Sequence, residues 1–209
     1  MRRSHVLLTL CYFLLAGILA GCGGGAGSPG SQGSGDTGVE IAASVIGTYK
    51  GSDTNSVDAF QNQCSAGPPP VLEVFTDHGA TVSITASLIN PRTTVPAGNL
   101  TVEKYKIEFI RSNDSIGAPP IETDVRYDTI QIPAPTSTGT TQVTATVLLV
   151  DLIRKMKYAD DVTSGTFSFF SSYLNNYTAI YTFYGKNEFG KDFSFKAQLS
   201  FQIGNFNNC

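Results

Sequence analysis

The sequence predicts an all-β fold, an antiparallel β-sandwich, on three observations. From Phe193 to Ile203 every odd position is apolar (Phe193, Phe195, Ala197, Leu199, Phe201, Ile203) and every even one is polar (Ser194, Lys196, Gln198, Ser200, Gln202). That period of two sets one strand face on a core and the other in water. Segments rich in β-branched and aromatic residues recur along the chain between turn clusters. No segment shows a helical period beyond a short turn at Leu152 to Tyr158.

In chain order the candidate strands are Val45 to Lys50, Val71 to Thr76, Thr81 to Leu88, Leu100 to Ile110, Val125 to Ile132 and Thr141 to Ile153. Asp77-His78-Gly79, Asn90-Pro91, Pro96-Ala97-Gly98-Asn99, Gly117-Ala118-Pro119-Pro120 and Pro133 to Gly139 punctuate them. Tyr177 to Tyr184 and Phe193 to Ile203, joined across Gly185-Lys186-Asn187-Glu188-Phe189-Gly190, make a long C-terminal hairpin. A one-residue slip there would expose the whole apolar set. Arg154, Lys155 and Lys157 read as a solvated basic edge.

The N-terminus follows a different logic. Arg2 and Arg3 precede an apolar run from Val6 to Leu19, the pattern of an export signal peptide and too short to span a bilayer permanently. Leu19-Ala20-Gly21-Cys22 resembles the lipobox of bacterial lipoproteins. The resemblance implies that residues 1–21 are removed and that Cys22 becomes the acylated, palmitate-bearing N-terminus. Ser4-His5-Val6 does not complete a twin-arginine motif, so general secretion is expected. Inner-membrane lipoproteins of this class carry aspartate after the cysteine; Gly23 stands here, which implies outer-membrane delivery. Cys11 leaves with the signal.

Residues 22–38 comprise the lipidated cysteine and a Gly/Ser-rich stretch with no aromatic residue, expected to act as a flexible tether spanning roughly 20–24 Å. A phosphate-binding glycine loop is discounted, since no Lys-Ser/Thr follows and no strand precedes. Residues 39–209 are long enough for one hydrophobic core and are read as a single domain. Its two cysteines, Cys64 and Cys209, are expected to pair in an oxidising compartment. The long closed loop would contribute on the order of 5 kcal/mol.

Tyr177-Thr178-Ala179-Ile180-Tyr181-Thr182-Phe183-Tyr184-Gly185 with the alternating strand after it resembles the last hairpin of immunoglobulin-like domains. That resemblance implies an immunoglobulin-like or related Greek-key topology. The chain departs from antibody-type domains in having no Trp and in the wide separation of Cys64 from Cys209.

Chemistry-bearing residues are sparse. The chain has Lys+Arg 14 against Asp+Glu 17; without Arg2 and Arg3 the balance is 12 − 17, or −5. Scattered cations on an acidic chain exclude nucleic acid as the expected partner and disfavour anionic lipid surfaces. The only histidine beyond the signal, His78, reads as a solvated turn residue, so a histidine-dependent triad would rest on it alone. Cysteine and histidine spacing gives no zinc or haem site. Asp124, Asp128, Asp151, Asp160 and Asp161 form no recognisable calcium loop and read as surface carboxylates. No cofactor and no catalytic residue are expected.

Phe167, Phe169, Phe170, Tyr173, Tyr177, Tyr181, Phe183 and Tyr184 gather aromatic material that core strands mostly absorb. Phe170 and Tyr173, beside Leu174-Asn175-Asn176, are the candidates for an exposed ligand-binding pair. Asn99-Leu100-Thr101, Asn113-Asp114-Ser115 and Asn176-Tyr177-Thr178 match the glycosylation pattern but carry no weight in a bacterial lipoprotein. The expected role is non-enzymatic: binding, adhesion or scaffolding in the cell envelope, with a protein or glycan partner. A polysaccharide- or small-ligand-binding module is the alternative, and a carboxylate-based envelope hydrolase the third.

Overall fold

The computed structural model describes residues 32–34, 37–89, 97–136, 139–167 and 174–207. The signal segment, the lipobox, Phe170, Tyr173 and Cys209 lie outside the described residues. The described chain is mostly β, in several sheets.

One sheet has the order β1-β2-β7-β10, antiparallel throughout: β1 (Gln32–Ser34), β2 (Val39–Tyr49), β7 (His78–Leu88) and β10 (Thr141–Val150). The short β3 (Ser52–Asp53) turns back on β2. The other sheet has the order β4-β12-β11-β8-β9, with β4 (Ser56–Asp58), β8 (Leu100–Arg111), β9 (Asp124–Ile132), β11 (Asn175–Asn187) and β12 (Asp192–Gly204). All its pairs are antiparallel except β4 with β12. β5 (Gln63–Ser65) and β6 (Val71–Leu72) form a separate exposed ribbon. β1 falls inside the stretch read as tether and pairs its backbone with Val39 to Ile41.

The inner faces of the two large sheets share one core. β12 alternates as the sequence predicts, with Phe193, Phe195, Ala197, Leu199, Phe201 and Ile203 buried and the intervening polar residues exposed. Phe195 stacks on Phe183 at 4.8 Å between centroids, a contact that adds geometric preference to apolar burial. Two tyrosines of the second sheet meet the edge strand of the first: the Leu148 N–H donates to the Tyr105 hydroxyl at 3.0 Å, and the Tyr181 hydroxyl donates to the Leu148 carbonyl at 2.9 Å. Both backbone groups lie beside a break in the β7–β10 register, so the hydroxyls satisfy polar atoms inside the core. Burial pushes both phenols above their usual range.

The β11–β12 turn is built by Asn187, whose side-chain oxygen accepts from Phe189 N at 3.0 Å and Lys191 N at 2.8 Å, with Gly190 at φ +76°. At the β11–β8 register break, Gly185 leaves no room for a side chain: a Cβ there would collide with the Thr101 carbonyl and approach Phe193.

Besides β1, and β2 and β7 that begin earlier than expected at Val39 and at His78 in the expected turn, two elements differ in kind from the sequence expectation. The strand predicted from Val71 to Thr76 pairs only at Val71–Leu72. Beyond it, the backbone bonds individual partners in place of a ladder: Glu73 N donates to Asn62 O, Val74 O accepts from the Tyr49 hydroxyl, and Thr76 O accepts from Lys155 Nζ. The short turn at Leu152 is a full helix, α1 (Leu152–Thr163), and the preceding strand stops at Val150 because Asp151 caps it. Asp151 Oδ1 accepts from Arg154 N at 2.8 Å, and Asp77 Oδ1 accepts from Leu152 N at 2.7 Å, so two of the first N–H groups are satisfied.

Replacing Gly185 with alanine is expected to cost about 2 kcal/mol or more in urea unfolding, while Ser194→Ala on the exposed face of β12 stays within about 0.5 kcal/mol.

Candidate functional site

Two polar assemblies stand out, one open and one sealed. The open one is a cleft of about 390 Å³ at the end of the second sheet, lined by Asn55, Ser56, Ser112, Asp114, Asn176, Ser200 and Gln202, with the buried Tyr177 and Phe201 behind them. It exists because β4 joins the sheet parallel to the end of β12. Gln202 N donates to Asn55 O at 2.9 Å, and Ser112 N donates to Asn176 O at 3.0 Å, so both walls are tied to the strands.

Below Ser112 the one-turn helix Asn113–Ser115 supports the rim. Asn176 Nδ2 donates to Asp114 Oδ2 at 2.8 Å, and Asn176 N donates to Ser115 Oγ at 2.8 Å. Tyr177 is anchored by its hydroxyl, which donates to Pro119 O at 2.5 Å, and its ring stacks on Phe201 at 5.7 Å. The lining contains one carboxylate and no cation. Amides and hydroxyls that both donate and accept suit a neutral, polyhydroxylated ligand.

The sealed assembly sits where the segment from Thr54 to Thr76 packs against α1 and the end of the chain. Asp58 is 1% exposed, and its Oδ1 accepts from Phe60 N and Phe206 N, both at 3.1 Å. Its carboxyl also hydrogen-bonds Glu73. Glu73 Oε2 in turn accepts from Asn62 Nδ2 at 3.0 Å, and the same amide donates to Phe206 O at 2.9 Å. Burial first, and then the Glu73 carboxyl, push Asp58 up to about 6.

Lys155 is fully buried. Its Nζ donates to Thr76 O at 2.7 Å and lies 5.0 Å from the Tyr49 ring and 5.1 Å from the Phe75 ring. Burial lowers it to about 8, against the pull of Asp58, Asp77 and Glu73. The basic trio is therefore no solvated edge: Lys155 is core, Arg154 sits in an ion-pair network, and Lys157 alone is a surface cation, 3.2 Å from Asp161.

His78 is likewise buried, which corrects its reading as a solvated turn residue. It opens β7, stacks flat on Tyr49 at 5.2 Å, and places Nε2 3.2 Å from Thr54 O. That contact assigns the proton to Nε2, leaving Nδ1 buried without a partner among the described residues. Burial holds the ring down to about 4, so it is neutral at pH 7.

Asp124 and Asp151, read as surface carboxylates, are buried in a closed ring with two arginines. Arg126 bridges Asp124 at 2.6 Å and Asp151 at 2.8 Å, and Arg154 bridges Asp151 at 2.5 Å and Asp124 at 3.3 Å. Arg154 also donates to the Glu122 and Thr123 carbonyls. The ring ties β9 to the start of α1. Among the described residues no group of three His, Cys, Asp or Glu side chains converges as a metal site.

Of the residues singled out in the sequence, Cys64 is exposed in β5, while Cys22, Cys209, Phe170 and Tyr173 lie outside the described residues. Tyr177, Tyr181 and Phe183 are core and Tyr184 is exposed. Asn176 and Asp114, set aside as parts of accidental glycosylation patterns, are cleft residues.

Asp58 and His78 give opposed pH dependences. Between about pH 4 and 6 the folded chain holds an Asp58 proton that the unfolded chain has lost, so this contribution is present at low pH and disappears as pH rises through 6. The unfolded chain protonates His78 below about 6.5 while the folded chain resists to about 4, so this contribution is present above 6.5 and disappears as pH falls. The two contributions are opposed in sign across the same pH range. Chemical denaturation of Asp58→Asn, which keeps both accepted N–H bonds, is expected to show stability falling below pH 6.5 relative to the parent. His78→Gln is expected to show stability falling as pH rises from 4 to 6.

A scan against protein-family models gives no match, nor does a search of curated proteins. Among solved structures the chain is similar to the soluble domain of PmoD from Methylocystis sp. ATCC 49242 (Rockwell), at 14% identity over 85% of this chain and 98% of that one, with a TM-score of 0.20. A likeness at that score carries no argument about fold or function.

Proposed function

We propose that this chain is a lipid-anchored envelope protein whose β-sandwich binds a neutral, polyhydroxylated ligand such as a glycan in the cleft beside Asn176 and Gln202. The observation that carries the reading is the lining of that cleft: seven hydroxyl, amide or carboxyl side chains around about 390 Å³, with no cation among them. The role is non-enzymatic. The groups with displaced pKa values that would attract an enzymatic reading, Asp58, His78 and Lys155, are sealed from solvent, and none of them lines the cleft.

An immunoglobulin-like topology is part of the proposal. Its support is strand order: β2, β7 and β10 lie in one sheet and β12-β11-β8-β9 in the other, which matches A-B-E opposite G-F-C-C′. The anchor rests on the lipobox-like Leu19-Ala20-Gly21-Cys22, and outer-membrane placement on Gly23. The Cys64–Cys209 disulfide belongs to the same reading. It is supported by the Asn62 to Phe206 hydrogen bond, which brings the two chain segments together.

Two measurements test this function. Intact mass of the membrane-extracted protein is expected to match an acylated chain beginning at Cys22, with a gain of about two daltons on reduction as one disulfide becomes two thiols; an unmodified mass beginning elsewhere overturns the anchor. On a glycan array and by calorimetry, Gln202→Ala is expected to weaken binding about 5–10-fold, the scale of one or two lost hydrogen bonds. Ser200→Trp, which fills the cleft, is expected to abolish it. Absence of any glycan signal, or turnover of a substrate by the purified protein, overturns the binding reading.

A further inference from the structure

The outer face of the second sheet continues away from the cleft as an ordered track. Strand register sets its rows: Gln202 beside Asn176, then Ser200 beside Thr178 and Ile110, then Gln198, Ile180 and Glu108. Next come Lys196, Thr182, Lys106 and Val125, and last Ser194, Tyr184, Lys104 and Tyr127. From the cleft row to the last row is eight residues along β11, about 27 Å at ~3.4 Å per residue.

The far end of this track has a chemistry the cleft lacks. Tyr127 is 81% exposed and Tyr184 36%, and Lys104 Nζ lies 5.4 Å from the Tyr184 ring, between the two tyrosines in the register. Lys106 is bound to Glu108 at 2.9 Å. Lys104 and Lys196 take part in no ion pair among the described residues. The last two rows therefore present free positive charge and aromatic faces on a chain whose net charge is −3.

We propose that one extended acidic polysaccharide lies along β11, with its neutral end in the cleft and its carboxylate-bearing sugars on the Tyr127–Lys104–Tyr184 row and Lys196. This inference rests on the cleft reading and extends it to a ligand class. The exposed Tyr127 ring stacks against a sugar, Tyr184 seats the Lys104 ammonium, and the lysines take the acid groups. Two unpaired lysines are far fewer than the roughly 6–10 phosphate contacts of a nucleic-acid-binding protein, so the acidic glycan is the better electrostatic match.

The test uses the purified full chain and four probes in calorimetry: a uronic hexamer whose first two sugars are neutral, that neutral dimer alone, a neutral hexamer, and single-stranded dT10. The uronic hexamer is expected to bind at least 10-fold tighter than the dimer and to weaken with salt. Lys104→Gln with Lys196→Gln is expected to remove most of that gain while leaving the neutral hexamer's affinity unchanged, and Tyr127→Ala to weaken the uronic hexamer several-fold. Equal affinity for hexamer and dimer, insensitivity to the lysine substitutions, or tighter binding of dT10 overturns the track. Failure of the cleft reading is separable: Ser200→Trp would then leave the neutral hexamer's binding unchanged, or that probe would not bind at all.

Discussion

The register between β11 and β12 is the constraint on which the rest of the molecule depends. Pairing Tyr177 with Phe201 and Phe183 with Phe195 puts every odd residue from Phe193 to Ile203 in the core and every even one between them on the outer face. The same register aligns Asn176 with Gln202 and Tyr184 with Ser194. Core, cleft and track are therefore three results of one alignment. Because the side-chain period is two, a slip of a single residue would exchange the faces and destroy all three together.

What holds the two sheets in relation to each other is polar as well as apolar. Tyr105 and Tyr181 reach across the core to Leu148, and the Asp124–Arg126–Asp151–Arg154 ring joins β9 to α1. Such contacts contribute modestly to net stability, yet losing one partner strands a buried polar group, so they favour one arrangement strongly over near alternatives. The acid pair at Asp58 and Glu73 does the same for the long segment between β4 and β7, which has little sheet pairing of its own.

Much of this was legible in the sequence wherever local pattern decides structure. The period of two predicts β12, and β-branched and aromatic content predicts β11 and β8, although β11 runs on through Gly185 to Asn187, half of the expected turn. α1 extends beyond the short turn expected at Leu152 to Tyr158, though its signals are local: Asp151 is a capping residue, and Lys155, Tyr158 and Val162 fall on one helical face. Burial of His78 and Lys155 was not legible, because their partners Tyr49, Thr54 and Thr76 come from distant segments. The cleft was hidden for the same reason, since Asn55, Ser112, Asn176 and Gln202 meet only through strand pairing.

The parallel pairing of β4 with β12 also bears on when the chain can fold. Asp58 and Asn62 bind Phe206 across 148 and 144 residues, and β4 finds its place in the sheet only beside the last strand. Bringing such remote segments together carries a loop-closure cost before any contact rewards it. Until β12 is in place, β4 therefore has no partner in the second sheet and β11 keeps an open edge. Shortening β12 from its Gly204 end would leave β4 unpaired and that edge unfinished.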